Sequence, residues 1–197
     1  VQSPGRRGGC GRPGLTPVGP GAVSAGYRDD VVGGGREEGS GPDLRGVWGI
    51  EQVQAHLDAA RYPVRLSFLD ASGHPRVVSL WFRRRGDHLW CATQRTAVVA
   101  TAIGNDGRVG FEVAADSIPY RGVRGWGHAS VRTEAGPEVL RSLLSRYLAP
   151  ADSLAARLLA RADTEVAIEV VPEQWYSWDF SDRMTVPTES DDVGGTD

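Results

Sequence analysis

The sequence predicts a mainly β domain of the α+β class: a six-stranded antiparallel barrel with helices on its flanks. Three observations carry this. Apolar residues in the middle of the chain alternate with period two in several successive runs. Short turn sequences, "ASGHP" and "RGD", join the first of these runs into hairpins. The strand–helix alternation of a parallel sheet is absent, and closing an antiparallel meander into a barrel removes its open edges.

The elements follow in order. Ile50, Val53, Leu57 and Ala60 recur at helical spacing, which predicts an amphipathic helix over about 49–60. "VRLSFLD" then alternates, with Val64, Leu66 and Phe68 on one face. "RVVSLWFRR" is a second strand, with Val78, Leu80 and Phe82 on one face and Val77, Ser79 and Trp81 on the other. "HLWCAT" is a third. Thr96 is placed to cap a short helix over 97–103, ended by Gly104 or Asn105. "RVGFEVAA" is a fourth strand, with Val109, Phe111 and Val113 facing inward, and "YRGVRGWGHASV" begins a fifth. Leu140, Leu143, Leu144, Tyr147 and Leu148 form a helical stripe. Asp152 caps a further helix, and "TEVAIEVVP" is the sixth strand.

Both ends differ in composition from this regular middle. Residues 1–43 are rich in Gly and Pro and cannot bury enough apolar surface to offset ordering, so they read as a disordered arm. Residues 185–197 read as a disordered acidic tail, leaving 44–184 as the folded domain. The basic N-terminal stretch has no apolar run after it, which argues against a secretory signal. The net charge of −3 gives no reason to expect a polyanionic partner such as nucleic acid, and no apolar run is long enough to span a membrane. Cys10 and Cys91 have neither disulfide nor zinc spacing and read as free thiols, which suits a cytoplasmic protein. His56, His74, His88 and His128 show no metal-ligand pairing. All 22 basic residues are arginine, so any site that needs a cation uses arginine.

Three places could carry chemistry. Thr93, Gln94, Arg95 and Thr96 stand where a strand gives way to a helix, whose N-terminal N–H groups and an arginine suit a phosphate; the alternative is an ordinary capped helix. The Val77–Ser79–Trp81 face could line a cleft for a flat polar ring, or simply pack. Gly122, Gly125 and Gly127 beside Arg121 and Arg124 mark a strand closely approached by something. Alternation sets Arg121 and Arg124 on opposite faces. Trp175 and Trp178 either pack the last segment or cover a bound ring.

Taken together, the run from "RLSFLDASGHPRVVSLWF" to "AIGNDGRVGFEV", followed by "YRGVRGWGHASV", resembles the pyridoxamine 5′-phosphate oxidase-like, FMN-binding split-barrel family over about residues 61–183. The resemblance implies a split barrel of Greek-key type and a homodimer with two flavins between the subunits. It implies that Arg76, Val77, Val78, Ser79, Leu80 and Trp81 contact the isoalloxazine ring, largely through backbone. Ala92, Thr93, Gln94, Arg95 and Thr96 would hold the phosphate. Gly122 and Arg124 would reach the flavin of the other subunit, with Trp178 nearby. Val99 stands where many members carry a basic residue, so neutralisation rests on Arg95, helped by Arg124 of the partner subunit. Gly122 stands where true pyridoxamine phosphate oxidases often have a polar residue, which argues against vitamin B6 as substrate. The implied activity is a flavin-dependent oxidoreduction of unassigned substrate and unassigned catalytic side chains. Coenzyme F420 is the alternative cofactor, and a flavin-binding module without turnover, or a domain that binds no cofactor, are the alternative functions.

Overall fold

The computed structural model describes residues 41–149 and 151–184; most of the proposed arm and all of the tail lie outside them. Eight strands and five α-helices follow in the order β1 (Asp43–Gly46), α1 (Ile50–Ala59), β2 (Val64–Leu69), β3 (Pro75–Leu80), β4 (Phe82–Arg85), β5 (His88–Gln94), α2 (Val98–Asn105), β6 (Arg108–Ala114), β7 (Arg121–Arg132), α3 (Gly136–Tyr147), α4 (Ser153–Leu159), β8 (Glu165–Asp179) and α5 (Ser181–Met184). The strands form one sheet in the order β3-β2-β6-β7-β8-β5-β4, with β1 added in parallel to β8. The mainly antiparallel class is as the sequence predicts. The strand count is higher, because one predicted strand is two and β1 is added.

The two edges of the sheet are joined by a single residue. β3 pairs with β2 at one edge of the sheet and β4 pairs with β5 at the other, and only Trp81 separates β3 from β4. The stretch "RVVSLWFRR" therefore changes partners midway. Its tight turns are built locally. In the Asp70–His74 turn, Asp70 Oδ1 accepts from the Ser72 and His74 N–H groups at 2.9 and 3.1 Å, and Gly73 takes φ 78°.

Inside the barrel, Val64, Leu66 and Phe68 stand beside Val109, Phe111 and Val113 on neighbouring strands, and Phe82, Cys91 and Trp175 belong to the same core. Val53 and Leu57 of α1, and Val99 and Ile103 of α2, pack into this same core. Each such side chain contributes roughly 1.5–3 kcal/mol by leaving water. Outside, α3 lays Val139, Leu140, Leu143 and Leu144 over Ala92, Ala167, Trp81 and Trp90. Trp81 stacks on Tyr147 at 5.1 Å, almost parallel. From α3, Arg146 reaches back to α1. It donates to the Leu57 and Ala60 carbonyls at 2.8 and 2.6 Å and lies over the Phe82 ring.

β8 is longer than the sequence predicts, and its geometry shows why. Trp126 pairs with Gln174 and Gly127 with Pro172, so Glu173 is an extra residue, a β-bulge. Val166, Ile168, Val170 and Pro172 are buried before it; Trp175 and Ser177 are buried after it. The inward parity changes from even to odd numbers. Pro172, which cannot donate to a ladder, sits at the bulge.

Candidate functional site

The partner exchange at Trp81 parts two of the segments that the sequence singles out, 76–80 and 93–96. β4 and β5 pair Phe82 with Cys91. Continuing that register would set Leu80 opposite Thr93 and Val78 opposite Arg95. Instead β3 turns away to β2, while Thr93 and Gln94 stay paired with Val166 and Glu165 of β8. Two strand edges thus part, and each leaves backbone N–H and C=O groups without a ladder partner among the described strands. The segments 76–80 and 93–96 are the two lips of this split. Backbone groups facing a gap can serve the polar edge of a planar ring.

The side chains of β3 divide by alternation. Val77 and Ser79 are exposed, Val77 at 69%, whereas Val78 and Leu80 turn toward the core. Arg76 is exposed and pairs with Asp70 at 3.5 Å. Trp81 also points out of the barrel, but α3 covers it. Ala92 lies under α3 in the same way.

At the far lip, Gln94, Arg95 and Thr96 line a pocket of about 370 Å³ with Arg161, Asp163 and Thr164. The second trio, unmarked by any motif, comes from the 3₁₀ turn Ala162–Thr164 and the residue before it. A backbone bond from Arg95 N to the Thr164 carbonyl (2.9 Å) docks the two segments, and the Arg95 guanidinium reaches the Asp163 carbonyl at 3.3 Å. The N-cap of α2 is Ala97, not Thr96 as the sequence suggests, and no side chain caps the helix. Ala100 N–H bonds the Ala97 carbonyl at 3.0 Å, while the positive end of the dipole is open to an acceptor.

Gly122, Arg124 and Trp178 lie on the outward face of β7 and β8. The row Ser79–Arg65–Glu112–Arg124–Tyr176 runs across five paired strands. At about 4.8 Å per strand, Arg124 is about 14 Å from Ser79. A single chain therefore does not bring Arg124 to the split. Its guanidinium lies over the Tyr176 and Trp178 rings, 4.8 and 5.3 Å from their centroids. Trp178 also lines a small cavity with Arg65, Glu112, Asp116 and Tyr120.

The glycines of β7 answer first to the chain's own packing. A Cβ on Gly122 would come 2.7 Å from Ala114 Cβ and 2.9 Å from the Trp178 ring. One on Gly125 would come 2.0 Å from the Gln174 carbonyl and 2.6 Å from Phe111. The absent side chain at Gly122 thus has an internal cause, and says less about substrate than the sequence suggests.

Burial governs the titration of three groups, Cys91, Glu165 and His56. Burial pushes the Cys91 thiol up to about 12, so it is inert in the core. Burial also raises the Glu165 carboxyl, against the opposing pull of Arg161. His56 Nε2 lies 3.0 Å from the Val113 carbonyl, an acceptor only, so that nitrogen carries the proton; burial lowers its pKa. Among the described residues, no group of three or more His, Cys, Asp or Glu is placed to hold a metal ion, and no helix is long and apolar enough to cross a membrane.

The architecture is that of the pyridoxamine 5′-phosphate oxidase-like split barrels. No protein-family model matches the chain, and no curated protein sequence matches it. Solved structures do. A conserved hypothetical protein from Mycobacterium tuberculosis superimposes with a TM-score of 0.60 at 22% identity, covering 76% of this chain and 94% of that one. An F420 reductase gives 0.50 at 20% identity over 62% of this chain and 94% of its own. A protein described as a pyridoxamine 5′-phosphate oxidase, from Listeria innocua, gives 0.50 at 16% identity over 64% and 95%. At these identities the likeness establishes the fold that the sequence resemblance predicts.

Proposed function

We propose that this protein is an FMN-binding oxidoreductase of the split-barrel type, acting as a homodimer on a small molecule. The observation that carries the reading is the parting of β3 from β5 at Trp81. It leaves two backbone edges facing one cleft, with Arg95 and the uncapped start of α2 at one end. The edges of Arg76–Leu80 would hold the polar rim of the flavin ring, and the Arg95 corner its phosphate. Bound FMN would supply the hydride chemistry. The chain's own residues bind it, orient it and limit access of water. Arg124 and Trp178 lie too far from the split in their own chain, and a second copy packed on the open face would bring them to it. That face carries Val77 and Trp126, which are 69% and 50% exposed.

Coenzyme F420 is the second reading, favoured by the similarity to an F420 reductase. Titration of purified protein with each cofactor separates the two. FMN is expected to bind near one per chain, and Arg95→Gln to weaken it about tenfold or more, since one charge-assisted hydrogen bond contributes about 1.5–3 kcal/mol. F420 uptake without FMN uptake would select the second reading. Protein that takes up neither ends both.

A further inference from the structure

The pocket beside Arg95 is lined by a second cation, Arg161. We propose that Arg161 is an anion-binding residue of this pocket, and that it and Arg95 clasp one terminal phosphate between them. The inference rests on the flavin reading and adds what the corner selects: a phosphorylated flavin over its phosphate-free form.

The position of Arg161 is built rather than incidental. Its N–H bonds the Leu158 carbonyl at 3.1 Å, at the end of α4. Its own carbonyl accepts from Thr164 N at 3.0 Å and from Thr164 Oγ1 at 2.8 Å. The next residue, Ala162, is buried against Leu140 and Leu144 of α3. The Thr164 carbonyl then takes the Arg95 N–H, so the two arginines project from segments tied together by backbone. Both side chains are exposed and line the one pocket.

The charge balance favours an anion. The pocket is lined by Arg95 and Arg161, by the neutral Gln94, Thr96 and Thr164, and by one acid, Asp163. Behind it, Glu165 interacts with Arg161, but burial disfavours its charged form and loosens that competition. Two guanidinium groups with the Thr96 hydroxyl match a group with three terminal oxygens, the Thr164 hydroxyl being already donated to the Arg161 carbonyl. A single carboxylate would use only one of the two forks. Asp163 limits the net positive charge, which suits one compact phosphate rather than a long polyanionic tail.

The test uses the full chain and its Arg161→Gln and Arg95→Gln variants. Each is titrated with FMN and with riboflavin by flavin fluorescence, and with inorganic phosphate by ³¹P NMR. Arg161→Gln is expected to weaken FMN about tenfold, leave riboflavin within about twofold, and reduce phosphate binding as Arg95→Gln does. FMN and phosphate affinities unchanged in Arg161→Gln would overturn the proposal. If the unmodified chain binds neither flavin, the flavin reading fails. The phosphate titration then still decides on Arg161: dependence on both arginines supports the clasp, and independence of Arg161 removes it. Arg161→Lys, which keeps the charge but not the fork, is expected to fall between.

Discussion

Around β5 and the first half of β8, the outside of the barrel carries Ala92, Ala167 and Trp90, and α3 lies over them. Around β2, β6 and β7 it carries Arg65, Glu112, Arg124 and Trp126, and no described helix lies over them. The strands of the two walls are built alike, with small apolar cores inward. Their outward residues decide what each wall is for. Ala92 and Ala167 let a helix approach, and Trp81 and Trp90 pack against its apolar stripe. Aromatic rings interleaved with opposite charges give a surface too apolar to be simply solvated and too rough to seat a helix. The split runs from one wall to the other, beginning where α3 covers Trp81 and opening toward Val77 and Ser79.

Substitutions on the two walls should therefore read out differently. The largest effect is expected under α3. Leu143→Ala should cost about 2–5 kcal/mol in chemical denaturation, because Leu143 is almost fully buried between helix and sheet. An equal loss from an open-wall truncation would break the distinction. Gly125→Ala tests the open wall from beneath. Its methyl would drive into the Gln174 carbonyl and Phe111, and a loss of about 1–3 kcal/mol is expected. The smallest effect on stability, within about 0.5 kcal/mol, is expected for Val77→Ser, which changes only an exposed outward residue. Sedimentation at micromolar concentration should nonetheless show weaker self-association in that variant. Unchanged sedimentation would remove Val77 from the contact between copies.

Much of this fold was legible in the chain because period-two alternation survives wherever a strand keeps one partner. Val64–Leu66–Phe68 and Val109–Phe111–Val113 both read correctly for that reason. Two features were not legible. The bulge at Glu173 reverses which residues face inward, so "EQWYSWDF" lacks a single alternating pattern although it continues β8. The break at Trp81 leaves Leu80 and Phe82 alternating without interruption, because a change of partner is a tertiary event with no local signature. The site divides the same way. The lips 76–80 and 93–96 of the candidate site were visible as a strand face and a strand-to-helix junction. Arg161 was not, since only the docking of the 3₁₀ turn on Arg95 brings it there. The α2 cap fell one residue beyond Thr96, as helix boundaries often do.

Arg146 joins parts of the molecule that the sheet does not. It grows from the helix that roofs the covered wall, yet its guanidinium closes the last turn of the helix whose Val53 and Leu57 enter the barrel. Lifting the roof would strip carbonyls at the end of that plug of a charged donor, and withdrawing the plug would strand a cation between Phe82 and Tyr147. Roof and plug are thus latched to each other. Neither can leave the barrel without breaking the contacts that Arg146 makes to the other.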